Sequence, residues 1–231
     1  MAEGHRKRVR DRFKEENIDT IPEYVVLERI IHNVVVRKDA SKVARDLLRE
    51  FGSLSRVIDA PEHELCKIEG IGPAAASFLN LIPAFYRKYR LSKWSNNTVF
   101  KSTEEVSAFL SDKLIGFRDE MVAVLCLDPN FRFISCRVLF EGSINSVEIS
   151  TRKILDFALS SNAARVIVAH NHPDNNPNPS SDDILTTRRL YNAFHYANIR
   201  LDDHIIVTED GAFSIAKSEL VPQLRSGLEL E

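Results

Sequence analysis

Apolar positions recur with two different periods along this chain, and the change of period divides it. Residues 3–16 are charged, with a thin apolar stripe at Val9 and Phe13, and predict a mostly exposed helix. After Pro22, the residues Val26, Leu27, Ile30, Ile31 and Val34 repeat at helical spacing and predict a helix over 23–36. From Ala40, the series Val43, Ala44, Leu47, Leu48 and Phe51 predicts another, with Gly52 just past its end. Residues 1–95 therefore read as an all-helical domain. Helical periodicity is lost near residue 91, and Ser, Asn and Thr gather there, so 96–102 reads as a linker. Thr103 is placed to cap a helix carrying Val106, Phe109 and Leu110.

From residue 120 the pattern is that of strands. Glu120 heads the run Met121–Leu127, an Asp-Pro-Asn turn follows, and Arg132–Phe140 reads as the second arm of a hairpin. A helix over about 151–161 precedes a buried strand over 165–170. After the 171–180 loop, Ile184, Leu185, Leu190, Tyr191 and Phe194 predict a helix. Strands at 204–208 and 213–216 complete a mixed α/β sheet with flanking helices over 103–220, and 221–231 reads as a loose tail. The fold class is thus α+β in two domains.

Composition adds little against this picture, with 28% charged and 44% apolar residues in a chain of 231. No apolar run reaches membrane-spanning length, which predicts a protein with no membrane partner. Cys66, Cys126 and Cys136 show no metal or redox spacing and read as reduced residues of a cytoplasmic protein. The formal charge of −2 conceals an asymmetry. Residues 1–95 carry 18 Lys and Arg against 14 Asp and Glu, and the remainder 13 against 19. The front domain is the better candidate for a polyanion contact.

Within it, Gly70-Ile71-Gly72-Pro73 follows a short helix and opens a new one at Pro73. The glycines permit positive φ and close approach of a backbone, and the new helix presents unpaired N–H groups that can hold a phosphate. Arg87 and Lys88, together with Arg90 and Lys93, could add phosphate neutralisation. The alternative is a hairpin that serves packing or protein contacts.

The candidate chemistry lies at Val166-Ile167-Val168-Ala169-His170-Asn171-His172-Pro173. An apolar strand that ends in histidines spaced i, i+2 delivers both imidazoles to one face, and Pro173 ends it. Asp183 starts the next helix, and the intervening loop, with two prolines and three asparagines, turns it back toward the histidines. Two imidazoles, one carboxylate and an open position form a catalytic zinc shell. Each piece also has a structural reading. The histidines could be hydrogen-bonded core residues, and Ser180-x-x-Asp183 is a capping box. Those readings are compatible, since Ser180 can cap the helix while Asp183 turns to a metal.

The spacing His-x-His, seven residues, Ser, two residues, Asp resembles the metal signature of the JAMM (MPN) metalloproteases. A closer resemblance, over nearly the whole chain, is to the bacterial RadC family. It is carried by Gly70-Ile71-Gly72-Pro73, which looks like a helix-hairpin-helix motif at about 60–80, by Phe140-Glu141-Gly142-Ser143, and by Arg152. His170-Asn171-His172-Pro173, Ser180-x-x-Asp183 and Leu201–Val207 extend it. Departures are Asp174-Asn175 where Ser-Gly is usual, Ser143 for Thr, and Thr151-Arg152-Lys153 for Pro-Arg-Glu.

The resemblance implies a cytidine-deaminase-like sheet, one Zn²⁺ per chain on His170, His172 and Asp183, and a bacterial, cytoplasmic hydrolase of peptide or isopeptide bonds. Glu120 would be the general base, with Glu141 and Glu148 as alternatives, and Ser180 would stabilise the oxyanion. DNA is the implied partner of the hairpin domain. An accessory DNA-repair protein with an idle metal site and a metal-dependent nuclease are the other classes. The His-Asn-His triplet is too compact for an HNH nuclease, and no Pro-Cys-x-x-Cys segment completes a deaminase site. His204 reads either as a residue behind the metal site or as a strand-end histidine bonded within the fold.

Overall fold

The chain divides into two compact units, residues 1–85 and 86–231. The structure, a computed structural model, describes residues 11, 13–14, 16–35, 39–141, 147–225 and 227–229; the side chains of residues 140–141, 147–150 and 229 are outside that description. The helix expected over 3–16 lies largely outside it as well.

In the first unit, α1 (Glu23–Ile31), α2 (Ala40–Phe51), α3 (Leu54–Asp59) and α4 (Glu62–Leu65) precede the long α5 (Pro73–Leu91). The expected 23–36 helix thus stops at Ile31. Asp39 caps α2 by accepting from the N–H groups of Ser41 and Lys42, and Gly52 ends it at φ 91°. Such a left-handed residue is the cheapest helix stop for glycine. Leu27, Ile31, Leu47, Val57, Leu65 and Leu79 are fully buried and form this unit's core.

The division falls inside α5 rather than near residue 95. The expected linker is also built into the second unit. Phe100 donates its N–H to the Phe131 carbonyl and is buried among Trp94 and Phe109. Val99 bridges Arg132. Helix α6 (Thr103–Leu114) is capped by Ser102, not by Thr103, which is its first helical residue.

The sheet comprises β1 (Met121–Leu127), β2 (Phe133–Glu141), β3 (Arg165–Asn171), β4 (Arg200–Val207) and β5 (Ala212–Ser214), in the order β2-β1-β3-β4-β5. Among the described residues, only β3 and β4 pair in parallel. Helix α6 covers one face, through Phe109 and Leu110 against Ala123, Leu125, Ile167 and Ile205. Helices α7 (Val147–Ser160) and α8 (Ser181–Tyr196) cover the other, packing Ile154, Leu190 and Phe194 on Val124, Val166 and Val168. Val221 and Leu224, 0% and 1% exposed, belong to this core. The loose tail expected after residue 220 is therefore anchored as far as Leu224 by two aliphatic side chains.

Two local features aim side chains at one end of the sheet. Val166 of β3 pairs with Leu201 and Ile167 with Asp203, so Asp202 is an extra residue in β4. That bulge switches the parity of β4 and turns His204 onto the α8 face, diagonal to His170. Asp202 itself is held by bidentate hydrogen bonds from Arg165 at 2.8 and 2.7 Å.

Candidate metal centre

Strand register and one helix start assemble the site. In the β1–β3 ladder, Val122 lies opposite His170. Continuing that antiparallel register by one same-face step places Glu120 beside His172. Asn171 ties the two strand ends together, its Oδ1 accepting from Met121 N–H at 2.8 Å and its Nδ2 donating to the Asp119 carbonyl at 3.1 Å. Asp183 enters from the first turn of α8.

The ligand-type atoms of Glu120, His170, His172 and Asp183 all lie within 4.8 Å of one another. His170 Nε2 and His172 Nε2 are 2.9 Å apart. Asp183 Oδ1 is 3.2 Å from His170 Nε2, and Asp183 Oδ2 is 3.7 Å from His172 Nε2. Glu120 Oε1 stands at 3.8 and 4.0 Å from the same two nitrogens. His170 and Asp183 are buried, whereas Glu120 retains 23% of its side-chain exposure at the rim.

Chemistry at these atoms asks for a cation. His172 Nδ1 is 2.6 Å from the Asn176 carbonyl, which can only accept, so Nδ1 carries a proton and, in the neutral ring, Nε2 presents a lone pair. Asp183 Oδ1 is buried and has no hydrogen-bond donor. Imidazole lone pairs and carboxylate oxygens facing one another repel unless positive charge sits among them. A divalent metal with nitrogen and oxygen ligands satisfies that demand.

Asp183 also makes the expected capping box. Ser180 donates both its N–H and its hydroxyl to Asp183 Oδ2, each at 2.7 Å, and its Oγ accepts from Asp183 N–H at 3.1 Å. Burial by itself would push the Asp183 carboxyl up, but its polar neighbours, the two Ser180 hydrogen bonds among them, outweigh it and hold Asp183 below the ordinary carboxylate range. Burial pushes His204 down to about 3, so its ring is neutral near pH 7.

Comparisons with known proteins show to which family the chain is related. Residues 100–220 match the family model described as a RadC-like JAB domain. A UPF0758 protein of Acinetobacter baumannii is 33% identical over 216 residues, covering 93% of this chain and 92% of its own. One from Xanthomonas campestris pv. campestris is 36% identical over 185 residues, or 80% of this chain and 82% of its own. The chain belongs to the RadC family.

Asn175, in the loop after His172, has a defined structural role. Asn175 sits at φ 62°, a left-handed conformation that Asn tolerates better than most residues. Its side chain adds what glycine lacks, with Nδ2 donating to Asp210 and Oδ1 accepting from Glu209 N–H. The loop that supplies the Asn176 carbonyl to His172 is thereby clamped to the β4–β5 turn. Glu141 and Glu148, the other candidate bases, have side chains outside the described residues.

A groove of about 560 Å³ opens in front of the site, lined by Glu120, His172, Ser180, Asp183 and the exposed Asp174 and Asp182. At the expected hairpin, Gly70 has φ 101°, a left-handed value that a side chain would strain, whereas Gly72 is not among the positive-φ residues. A Cβ at Gly72 would meet no atom within 4 Å. Arg87 is not a free cation. Its guanidinium donates to the Ile115 carbonyl at 2.9 Å and stacks on Phe117 at 4.0 Å, and burial lowers its pKa. Lys88 is exposed on α5.

Sequence reasoning identified His170, His172, Asp183, Ser180 and Glu120, all of which the structure brings together. It assigned nothing to Asn171 as a strand staple or to Thr187, a buried residue whose hydroxyl meets His204. A hydroxyl four residues after Asp183 was the available signal, since that spacing places both on one face of α8.

Proposed function

We propose that this chain is a zinc-dependent hydrolase of peptide or isopeptide bonds. The observation that carries the reading is the convergence of two imidazole nitrogens and the donorless Asp183 Oδ1 beside a more exposed carboxylate, Glu120. Zinc held by His170, His172 and Asp183 would supply Lewis-acid activation of water and of the scissile carbonyl. Glu120, at the open side, takes a proton from the attacking water and returns it to the leaving amine. Ser180 Oγ can donate to the developing oxyanion once its hydroxyl turns from Asp183 Oδ2. The Ser180 N–H continues to hold that carboxylate.

Groove charge favours an amide over a phosphodiester. Asp174 and Asp182 flank the site, and no Lys or Arg is among the described residues lining it. A nucleic-acid backbone would approach against that field. We assign nucleic acid instead to the Gly70–Pro73 hairpin; a Cβ at Gly72 would meet no atom within 4 Å, which supports a phosphate contact to the first N–H groups of α5.

Elemental analysis and a panel of peptide and isopeptide substrates test the centre. Wild-type protein should carry one zinc per chain, and Glu120→Gln should keep that zinc while losing about 10²- to 10⁴-fold in turnover. Metal-free wild type after zinc reconstitution defeats the proposal, and undiminished turnover in Glu120→Gln removes Glu120 as the base.

A further inference from the structure

Behind the ligand-type atoms runs a directional chain of hydrogen bonds. Thr187, on the turn of α8 that follows Asp183, is 0% exposed, and His204 and His170 are similarly enclosed at 3% and 0% exposure. Thr187 Oγ1 lies 2.6 Å from the Asp183 carbonyl oxygen and 2.6 Å from His204 Nδ1. A carbonyl oxygen only accepts, and two oxygens at that distance repel without a proton between them. The single hydroxyl proton of Thr187 is therefore spent on Asp183. Its oxygen must then accept from His204 Nδ1–H.

Consequences follow along the chain. With Nδ1 protonated, the neutral His204 ring has a lone pair at Nε2. That nitrogen is 2.9 Å from His170 Nδ1, which must supply the proton. In a neutral ring His170 Nε2 is then left bare, available to a cation held among His172, Asp183 and Glu120. The absence of any donor to Asp183 Oδ1, although His170 Nε2 is only 3.2 Å away, agrees with this assignment.

We infer that Thr187 is a positioning residue that sets the tautomer of His170 through His204, keeping the His170 Nε2 lone pair available to a metal ion. This rests on the metal-centre reading above. Its role is not redundant, because the Asp183 carboxylate pulls the His170 proton toward Nε2, into the cluster. The Thr187 hydroxyl opposes that pull from the far end of the relay. One turn of α8 thus presents both the ligand, Asp183, and the residue that prepares the other ligand. The β4 bulge at Asp202 is what places His204 between them.

The test compares wild type, Thr187→Val and Thr187→Ser by ¹⁵N imidazole NMR of the metal-free protein and by zinc titration against a chromophoric chelator. Wild type and Thr187→Ser should show His170 and His204 protonated at Nδ1. Thr187→Val, of similar shape but without the hydroxyl, should move the His170 proton to Nε2 and weaken zinc binding by about 10- to 100-fold, the usual effect of losing a supporting partner. The serine variant should recover most of that affinity. Unchanged tautomers and unchanged zinc affinity in Thr187→Val overturn the inference, as does a His170 protonated at Nε2 and not at Nδ1 in metal-free wild type. The wild-type spectrum decides even if the valine variant fails to fold. A wild type that takes up no zinc would defeat the metal reading, while the spectra would still decide what Thr187 does.

Discussion

Replacing Asp183 by Asn separates its two roles, helix cap and metal ligand, because the two predict opposite changes in stability. The amide has the shape of the carboxylate, so Asn Oδ1 can keep both hydrogen bonds from Ser180, each now 2.7 Å long. The amide nitrogen then occupies the place of Oδ1, the buried atom without a donor, and can donate to His170 Nε2 at 3.2 Å. Relieving an unsatisfied buried polar group is worth about 1–3 kcal/mol. Loss of the negative charge from the start of α8 costs about 0.3–1 kcal/mol. The balance is about 1 kcal/mol in favour of the variant without metal, or about 2–4 °C in melting temperature for a chain of this size. With zinc the order reverses. Wild type gains about 2.7 kcal/mol at a zinc concentration one hundred times its dissociation constant, and the variant, short of an anionic ligand, gains little. Differential scanning calorimetry in chelator and in zinc measures both. A variant that melts lower than wild type in both conditions, with no effect of zinc on wild type, would make Asp183 a cap and nothing more.

Asn175→Gly keeps the left-handed backbone but removes the clamp to Glu209 and Asp210. It should lower stability by about 1 kcal/mol, one net hydrogen bond, and reduce hydrogen-exchange protection of the 172–178 loop; equal protection would leave Asn175 as a turn residue only. At the hairpin, Gly72→Val has open space and should fold, yet weaken duplex binding by about 1 kcal/mol through blocked phosphate approach. Gly70→Ala should instead destabilise by about 1 kcal/mol because of its φ of 101°. Binding that Gly72→Val leaves intact across a salt titration would make the hairpin a packing device.

Local order along the chain determined most of the elements and most of the site. A period of two sends His170 and His172 to one face whatever the rest of the fold does, and the Ser180–Asp183 spacing writes a capping box within four residues. The helical stripes of α2 and α8 are equally local. Glu120 depended on the family resemblance, because nothing near it in sequence distinguishes it from Glu141. Tertiary structure alone decided what depends on register and distant pairing. Asn171 staples β1 across fifty residues of sequence, and the Asp202 bulge turns His204 onto the α8 face. Thr187 becomes a proton-directing group only because that bulge exists. Val221 and Leu224 read as tail because two isolated aliphatic residues carry no period, yet they fill space that only the packed α7–α8 layer defines. Periodicity reports which face a side chain takes. Which partners meet on that face is set by the free energy of packing the whole domain.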